Sequence, residues 1–222
     1  MNKRSIAGYG MTSKRTRDRM VKRLRLQGIT HPGVLDALRD IPRHIFVDEA
    51  LASHAYDDTA LPIAFQQTIS QPYIVARMTE LLLEAGRLEK VLEIGTGSGF
   101  QAAVLARLAR QVYSVERIEG LIKYARARLM ALAIRNVRLK HADGQFGWPE
   151  YAPYDGVLVT AAPELIPPGL IDQLRIGGRL VIPVGGAEGQ ELHVVTRTET
   201  GVELNVIEPV SFVPLHVGHV GG

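Results

Sequence analysis

Three glycines separated by single residues, Gly95, Gly97 and Gly99, follow directly on the apolar run Val91-Leu92-Glu93-Ile94. No other stretch constrains the fold as strongly. The apolar run reads as a buried strand, the glycines as a tight turn, and Phe100-Gln101 as the start of a helix. Without a Cβ the backbone can pass close under a ligand while the next helix presents its free N–H groups. That is the layout of an α/β nucleotide-binding turn. A dinucleotide fingerprint has glycine at its first, third and sixth positions, the last for close packing of helix on strand. Here the sixth position is Phe100. An aromatic there argues against a pyrophosphate, and the acid two residues before the first glycine, Glu93, argues for a ligand that carries positive charge.

Composition narrows the classes that remain. A chain of 222 residues holds one α/β domain with a substantial core, and two full domains are not expected. There is no cysteine, so disulfides, thiolate metal sites and thiol nucleophiles are all removed; no metal site is expected. No apolar run is long enough to span a bilayer, and the first residues lack the apolar segment of a secretory signal, so a cytoplasmic location is expected. The net charge of +3 hides an uneven distribution. Lys3, Arg4, Lys14, Arg15, Arg17, Arg19, Lys22, Arg23 and Arg25 face only Asp18. A basic front end can contact nucleic acid, but aromatic residues to stack on bases are missing apart from Tyr9, and a solvated arm and helix face is the expected role.

In chain order, residues 1–18 read as a basic arm whose first dozen residues fray, and residues 19–222 as a single domain. Within that domain, 19–85 is a helical substrate or lid segment, 86–186 the cofactor-binding core and 187–222 a terminal hairpin. Met20, Val21, Leu24 and Leu26 suggest an amphipathic helix ended by Gly28, and Val34, Leu35 and Leu38 a second one stopping before Pro42. Ile74, Met78, Leu81 and Leu82 mark a third helix with Pro72 in its first turn, so Ser70 or Gln71 sits at its cap. Strands follow at Gln111–Arg117, Asn136–Leu139, from Tyr154, and at Arg179–Val184. Helices alternate with them at Phe100–Arg110, Ile118–Ala133 and Leu165–Leu174, the last stopped by Gly177-Gly178. This alternation predicts a parallel sheet with right-handed crossovers. Glu191–Arg197 and Val202–Val213, joined through Glu199-Thr200-Gly201, form a hairpin instead. The fold class is therefore α/β, a doubly wound, mostly parallel seven-stranded sheet with an N-terminal helical addition and a C-terminal antiparallel hairpin.

The acid, the glycine spacing and the bulky sixth residue together resemble the signature of the S-adenosylmethionine-dependent methyltransferases, whose cofactor carries an ammonium and a sulfonium. On that resemblance Gly95, Thr96, Gly97 and Gly99 with Glu93 hold the methionine part. Glu116, the acid ending the second core strand, accepts ribose hydroxyls beside Arg117. Asp143-Gly144 ends the third core strand, where Asp143 either accepts the adenine amino group or only shapes an Asp-Gly turn. The exit of the fourth core strand, Thr160-Ala161-Ala162-Pro163, lacks the acidic or amide residue, two prolines and aromatic that enzymes methylating amide or adenine nitrogen carry there. Pyrimidine C5 chemistry lacks its cysteine. A carboxylate acceptor is already ionised at neutral pH and needs positioning but no general base.

One family is then similar over nearly the whole chain: protein-L-isoaspartate (D-aspartate) O-methyltransferase. The specific part is the loop Gln67-Thr68-Ile69-Ser70-Gln71-Pro72. Phe46–Ala50, Ala60–Ile63, Val91–Gln101, Ser114–Arg117, Asp143-Gly144, Val159–Pro163 and Ser211–Leu215 match as well. The resemblance implies that Ser70 is the active-site hydroxyl and that Gln67, Thr68 and Ile69 contribute to cofactor and substrate contacts. It further implies methyl transfer to the free carboxylate of L-isoaspartyl, and potentially D-aspartyl, residues of damaged proteins, with repair through a succinimide. The expected partners are isoaspartyl proteins and peptides, with no membrane and no nucleic acid, and the expected state is a monomer. A methyltransferase acting on RNA or on a small molecule is the alternative. The order of the last two strands is open at this level, as is the choice for Ser70 between active-site group and helix cap.

Overall fold

The computed structural model describes residue 6 and residues 8–220. The seven-stranded sheet contains β3 (Leu88–Ile94), β4 (Ala109–Glu116), β5 (Val137–His141), β6 (Tyr154–Val159), β7 (Leu174–Gly186), β8 (Gly189–Arg197) and β9 (Val202–Val210). Two shorter pieces precede it, β1 (Leu61–Pro62) and β2 (Thr68–Ile69), which pair antiparallel with each other. The order across the main sheet is β5-β4-β3-β6-β7-β8-β9. From β5 to β7 neighbouring strands run parallel, while β7–β8 and β8–β9 are antiparallel. Each of the last two strands thus lies beside its predecessor in sequence, and β9 is outermost.

A parallel strand covered on both faces must be apolar on both. In β3, Val91 packs with Val112, Leu158 and Val181 on one face, and Leu92 and Ile94 pack with Val115, Val157 and Ile182 on the other. The first face carries α3 (Pro72–Leu83) through Met78, Leu81 and Leu82, and α4 (Phe100–Leu105) through Leu105. The other is closed by α6 (Pro168–Asp172), Trp148 and Tyr151. The remaining helix of the core, α5 (Glu119–Ala131), connects β4 to β5. Because β3 is flanked by β4 on one side and β6 on the other, the crossovers leave it in opposite directions. A crevice opens at the carboxyl ends of β3 and β6, the place where open α/β sheets bind ligands.

The leading segment holds α1 (Lys14–Leu26) and α2 (Pro32–Asp40). Met20, Val21 and Leu24 of α1 and Val34, Leu35 and Leu38 of α2 share one apolar cluster with Phe100, Ala103, Val104 and Leu129. The addition and the nucleotide-binding half therefore share a core. Gly28, with φ of 97°, ends α1, where Ile29 N–H donates to Leu24 O at 3.1 Å. Glu80 of α3 then accepts from Thr30 N and His31 N at 2.8 and 2.7 Å, tying the α1–α2 link to the core. The helix starts at Lys14 and so runs through residue 18, where sequence composition ended the arm. Residues 1–5 and 7 of that arm lie outside the described residues.

The helix expected over Phe100–Arg110 ends at Leu105, and Ala109 and Arg110 already belong to β4; two further boundaries differ from the sequence expectation for local reasons. The helix expected from Leu165 begins only at Pro168, because a residue ahead of a proline is steered away from the helical region and Ile166 precedes Pro167-Pro168. Gly177-Gly178 does not stop that helix; it lies inside β7. Pairing with β6 jumps from Tyr154↔Leu174 to Gly156↔Arg179, and residues 175–178 bulge out between. Among the described residues, no helix is long and apolar enough to cross a membrane.

Candidate active site

The turn after β3 is built as its spacing demands. Gly95, Gly97 and Gly99 have φ of 91°, 52° and 88°. At Gly95 a Cβ would overlap Thr160 Oγ1, and at Gly99 it would stand 3.0 Å from Ala125 Cβ of α5, so the first glycine admits β6 and the third admits a helix. Thr160 fixes the turn from the side. Its N–H donates to Ile94 O at 2.9 Å and its hydroxyl to Gly95 O at 2.7 Å.

Two carboxylates converge on this turn from neighbouring strands. Glu116 closes β4, accepting from Gly97 N at 2.9 Å through Oε2 and from Ile118 N at 3.0 Å through Oε1. Burial raises its pKa above the ordinary carboxylate value, and the backbone N–H groups of Gly97, Ile118 and Arg117 oppose that shift. Glu93 stands under the turn and is fully buried. Its Oε2 is hydrogen-bonded to the Ser114 hydroxyl, which lies 2.6 Å from Thr96 Oγ1, while its Oε1 has no hydrogen-bond partner. Burial pushes this carboxyl up to about 8, with the Ser114 hydrogen bond opposing and the charge of Glu116 adding.

The cavity against the turn is closed on its far side by the loop that sequence reading singled out. Ile63 N–H donates to Gln67 O at 2.8 Å and Leu61 pairs with Ile69, which makes a miniature hairpin. Its tip holds Phe65 and Gln66 at φ of 61° and 57°. Two successive non-glycine residues in the left-handed region cost about 1–3 kcal/mol each, a strain common at ligand clamps. The hairpin aligns Gln67, Thr68, Ile69 and Ser70 along the cavity wall. Gln71, not Ser70, occupies the N-cap position of α3, and no side chain caps that helix. The Ser70 hydroxyl makes no hydrogen bond to any described residue, and Ser70 lines the cavity.

Gly95, Thr96 and Gly97 of the turn, with Glu116, Arg117 and Gly144, line the same cavity. Three residues expected at the cofactor do not reach the wall. Gly99 packs on α5, Glu93 lies beneath the turn, and the Asp143 carboxylate is taken up locally. Asp143 accepts from Gln145 N and Gln145 Nε2, each at 3.0 Å, and from Gly218 N. Sequence reading singled out the exit of β6 but did not place the segment beyond β9 at the cavity. Thr160 and Ala161 line the cavity from the end of β6, and Val213 to His216 from beyond β9. The latter segment is drawn in by backbone bonds between Ala162 N and Val213 O and between Leu215 N and Ala162 O, both 2.8 Å. The match of Ser211–Leu215 to the family was the available signal, but nothing in the spacing placed it at the turn.

The family model for protein-L-isoaspartate (D-aspartate) O-methyltransferase matches residues 15–219. The chain belongs to that family. Among curated members, the protein-L-isoaspartate O-methyltransferase of Halorhodospira halophila is 60% identical over 220 residues, covering 99% of this chain and 100% of its own length. The Cellvibrio japonicus protein of the same name is 57% identical and covers 96% of each chain. A solved protein-L-isoaspartate O-methyltransferase superposes with a TM-score of 0.83 at 27% identity, over 91% of this chain and 67% of that one. A Plasmodium falciparum structure holding S-adenosyl-L-homocysteine has a TM-score of 0.79 at 22% identity, over 90% of this chain and 98% of that one, and speaks for the fold. The residues present in this isoaspartate methyltransferase family member fit the family's cofactor. A glycine turn open to the cavity, a buried carboxylate with an unpartnered oxygen beneath it and a second acid at the end of β4 suit a ligand with cationic and hydroxyl-bearing parts.

Proposed function

We propose that this chain transfers the methyl group of S-adenosylmethionine to the free α-carboxylate of L-isoaspartyl residues in damaged proteins. The observation that carries this reading is the shared cavity, which both the glycine turn and Ser70 line. Bound at the turn, S-adenosylmethionine supplies an electrophilic methyl on a positive sulfur. The turn from Gly95 to Gly97 and Glu116 would hold it, with Arg117 and Gly144 lining the same cavity. Ser70 and the backbone of the Gln67–Ile69 hairpin orient the acceptor oxygens. Glu116 is engaged by two backbone N–H groups and is no free base, which suits an acceptor that arrives ionised. Esterification turns the carboxylate oxygen into a better leaving group. The following backbone nitrogen then attacks the ester carbonyl, methanol leaves, and water opens the succinimide partly to normal aspartate.

We further infer a monomer that carries out the reaction without nucleic acid or membrane. Lacking cysteine, the chain needs no oxidising compartment to fold, which fits the cytoplasm. The test is labelled methyl transfer to paired peptides that differ only in aspartyl or isoaspartyl linkage, with a D-aspartyl peptide as a third arm. Incorporation is expected into the isoaspartyl peptide and not into its L-aspartyl twin; equal incorporation into both overturns the reading.

A further inference from the structure

The two acids at the turn are unequally provided for. Glu116 has a backbone N–H on each oxygen, whereas Glu93, with no exposed surface, has a single hydroxyl on Oε2 and nothing on Oε1. An ionised carboxylate in such a place is costly unless a positive charge comes near. The groups facing Glu93 are Ser114 and the Glu116 carboxylate from β4, Leu158 in register on β6, and Thr96 through Ser114. Arg117 acts on Glu116, and no cation among the described residues is paired with Glu93.

We propose that Glu93 is a proton-linked positioning residue: it holds a proton in the free protein and gives it up when the cationic cofactor binds at the turn. This rests on S-adenosylmethionine being the ligand of the cavity. In the protonated chain Glu93 donates to Ser114, Ser114 to Thr96, and Thr96 donates towards the cavity. Binding sends one proton to solvent. The Glu93 proton moves to Ser114, that of Ser114 to Thr96, and that of Thr96 leaves, so every hydroxyl keeps one hydrogen and the chain points the other way. Thr96, a residue of the cavity wall, then presents a lone pair where it had presented a hydrogen. The same switch favours a positive sulfonium over the neutral thioether left after transfer. The high affinity of Glu93 for protons that burial causes agrees with this arrangement.

The test is titration calorimetry of the full chain at pH 7 with S-adenosylmethionine and, separately, S-adenosylhomocysteine, in two buffers of different ionisation enthalpy. The buffer dependence counts protons released. Each ligand's own amino group also titrates, and the positive sulfonium lowers it relative to that of the thioether, so the ligand's share is the part of the difference that persists in Glu93→Gln. Release approaching one proton is expected with the sulfonium ligand, less with the thioether, and most of the difference is lost in Glu93→Gln. A difference unchanged in Glu93→Gln, or abolished only by Glu116→Gln, overturns the assignment. Should Glu93→Gln fail to fold, the wild-type chain decides. The ratio of the two dissociation constants is expected to move several-fold towards the sulfonium between pH 6 and 9, and a constant ratio overturns the proposal. Binding without proton release leaves the methyltransferase reading standing and removes this one, whereas no binding of either ligand removes both.

Discussion

At the scale of single residues, Ser70 shows how a structure can separate two roles that a sequence leaves together. A serine two residues ahead of a proline-started helix is as good a cap as it is an active-site hydroxyl. In the fold Gln71 takes the cap position and Ser70 lines the cavity. Replacing Ser70 by alanine should therefore reduce kcat on an isoaspartyl peptide by about 10- to 100-fold, at or below the loss of one oriented donor elsewhere. Cofactor affinity and Tm should stay close to wild type, since the glycine turn and the helix cap are untouched. Steady-state kinetics with calorimetric binding would check both halves, and unchanged turnover would leave Ser70 without a role in the reaction. Glu93 teaches the complementary lesson. Its position two residues before Gly95 signalled positive charge in the ligand, but that it acts from below the turn through Ser114 is a matter of strand register, Glu93↔Ser114, which no linear spacing shows.

Among the elements, the leading helices, expected as a helical addition within the single domain, share its apolar core. Thr16 is buried in the first turn of α1, and Met20 and Leu24 have no exposed surface. Deleting residues 1–18 should therefore leave activity on an isoaspartyl peptide nearly intact at low temperature while lowering thermal stability. Each kcal/mol lost by a domain of this size moves Tm by about 2–4 °C. Thermal denaturation and peptide assays on the truncated chain would decide, and full loss of activity with the fold retained would give the basic segment a functional part. The hairpin Leu61–Ile69 is an element of another kind. Its sequence carries no turn glycine, yet its tip takes two left-handed residues in a row because the strands on either side and the cavity wall over-determine it.

For the molecule as a whole, the buried acids tie stability to pH. Glu93 has its pKa raised from 4.5 to about 8, and Glu116 is raised as well, so between those limits the folded chain holds more protons than the unfolded one. Stability must then fall as pH rises through that window, because folding above it leaves a carboxylate ionised where it is poorly solvated. We expect Tm of the free protein to drop from pH 5 to pH 8.5, the drop to be smaller in Glu93→Gln, and saturating S-adenosylmethionine to offset much of it. Denaturation across pH would reveal this; a Tm independent of Glu93 over that range would mean that its carboxyl is not held protonated.

What the chain determined by itself was everything set by local steric and periodic rules. The left-handed turn at Gly95 and Gly99, the apolar runs of the inner strands, the acid closing β4 and the hairpin after residue 189 all follow from neighbours within a few positions. Tertiary structure decided what depends on distant partners. It set the outermost place of β9, the enclosure of the cavity by Val213 to His216, the capture of Asp143 by Gln145 and Gly218, and the stranded oxygen of Glu93. The physical reason is the range of the interactions involved. A turn is chosen by the torsions of its own residues, whereas strand order and the solvation of a buried charge are set by surfaces that meet only after the chain has closed on itself.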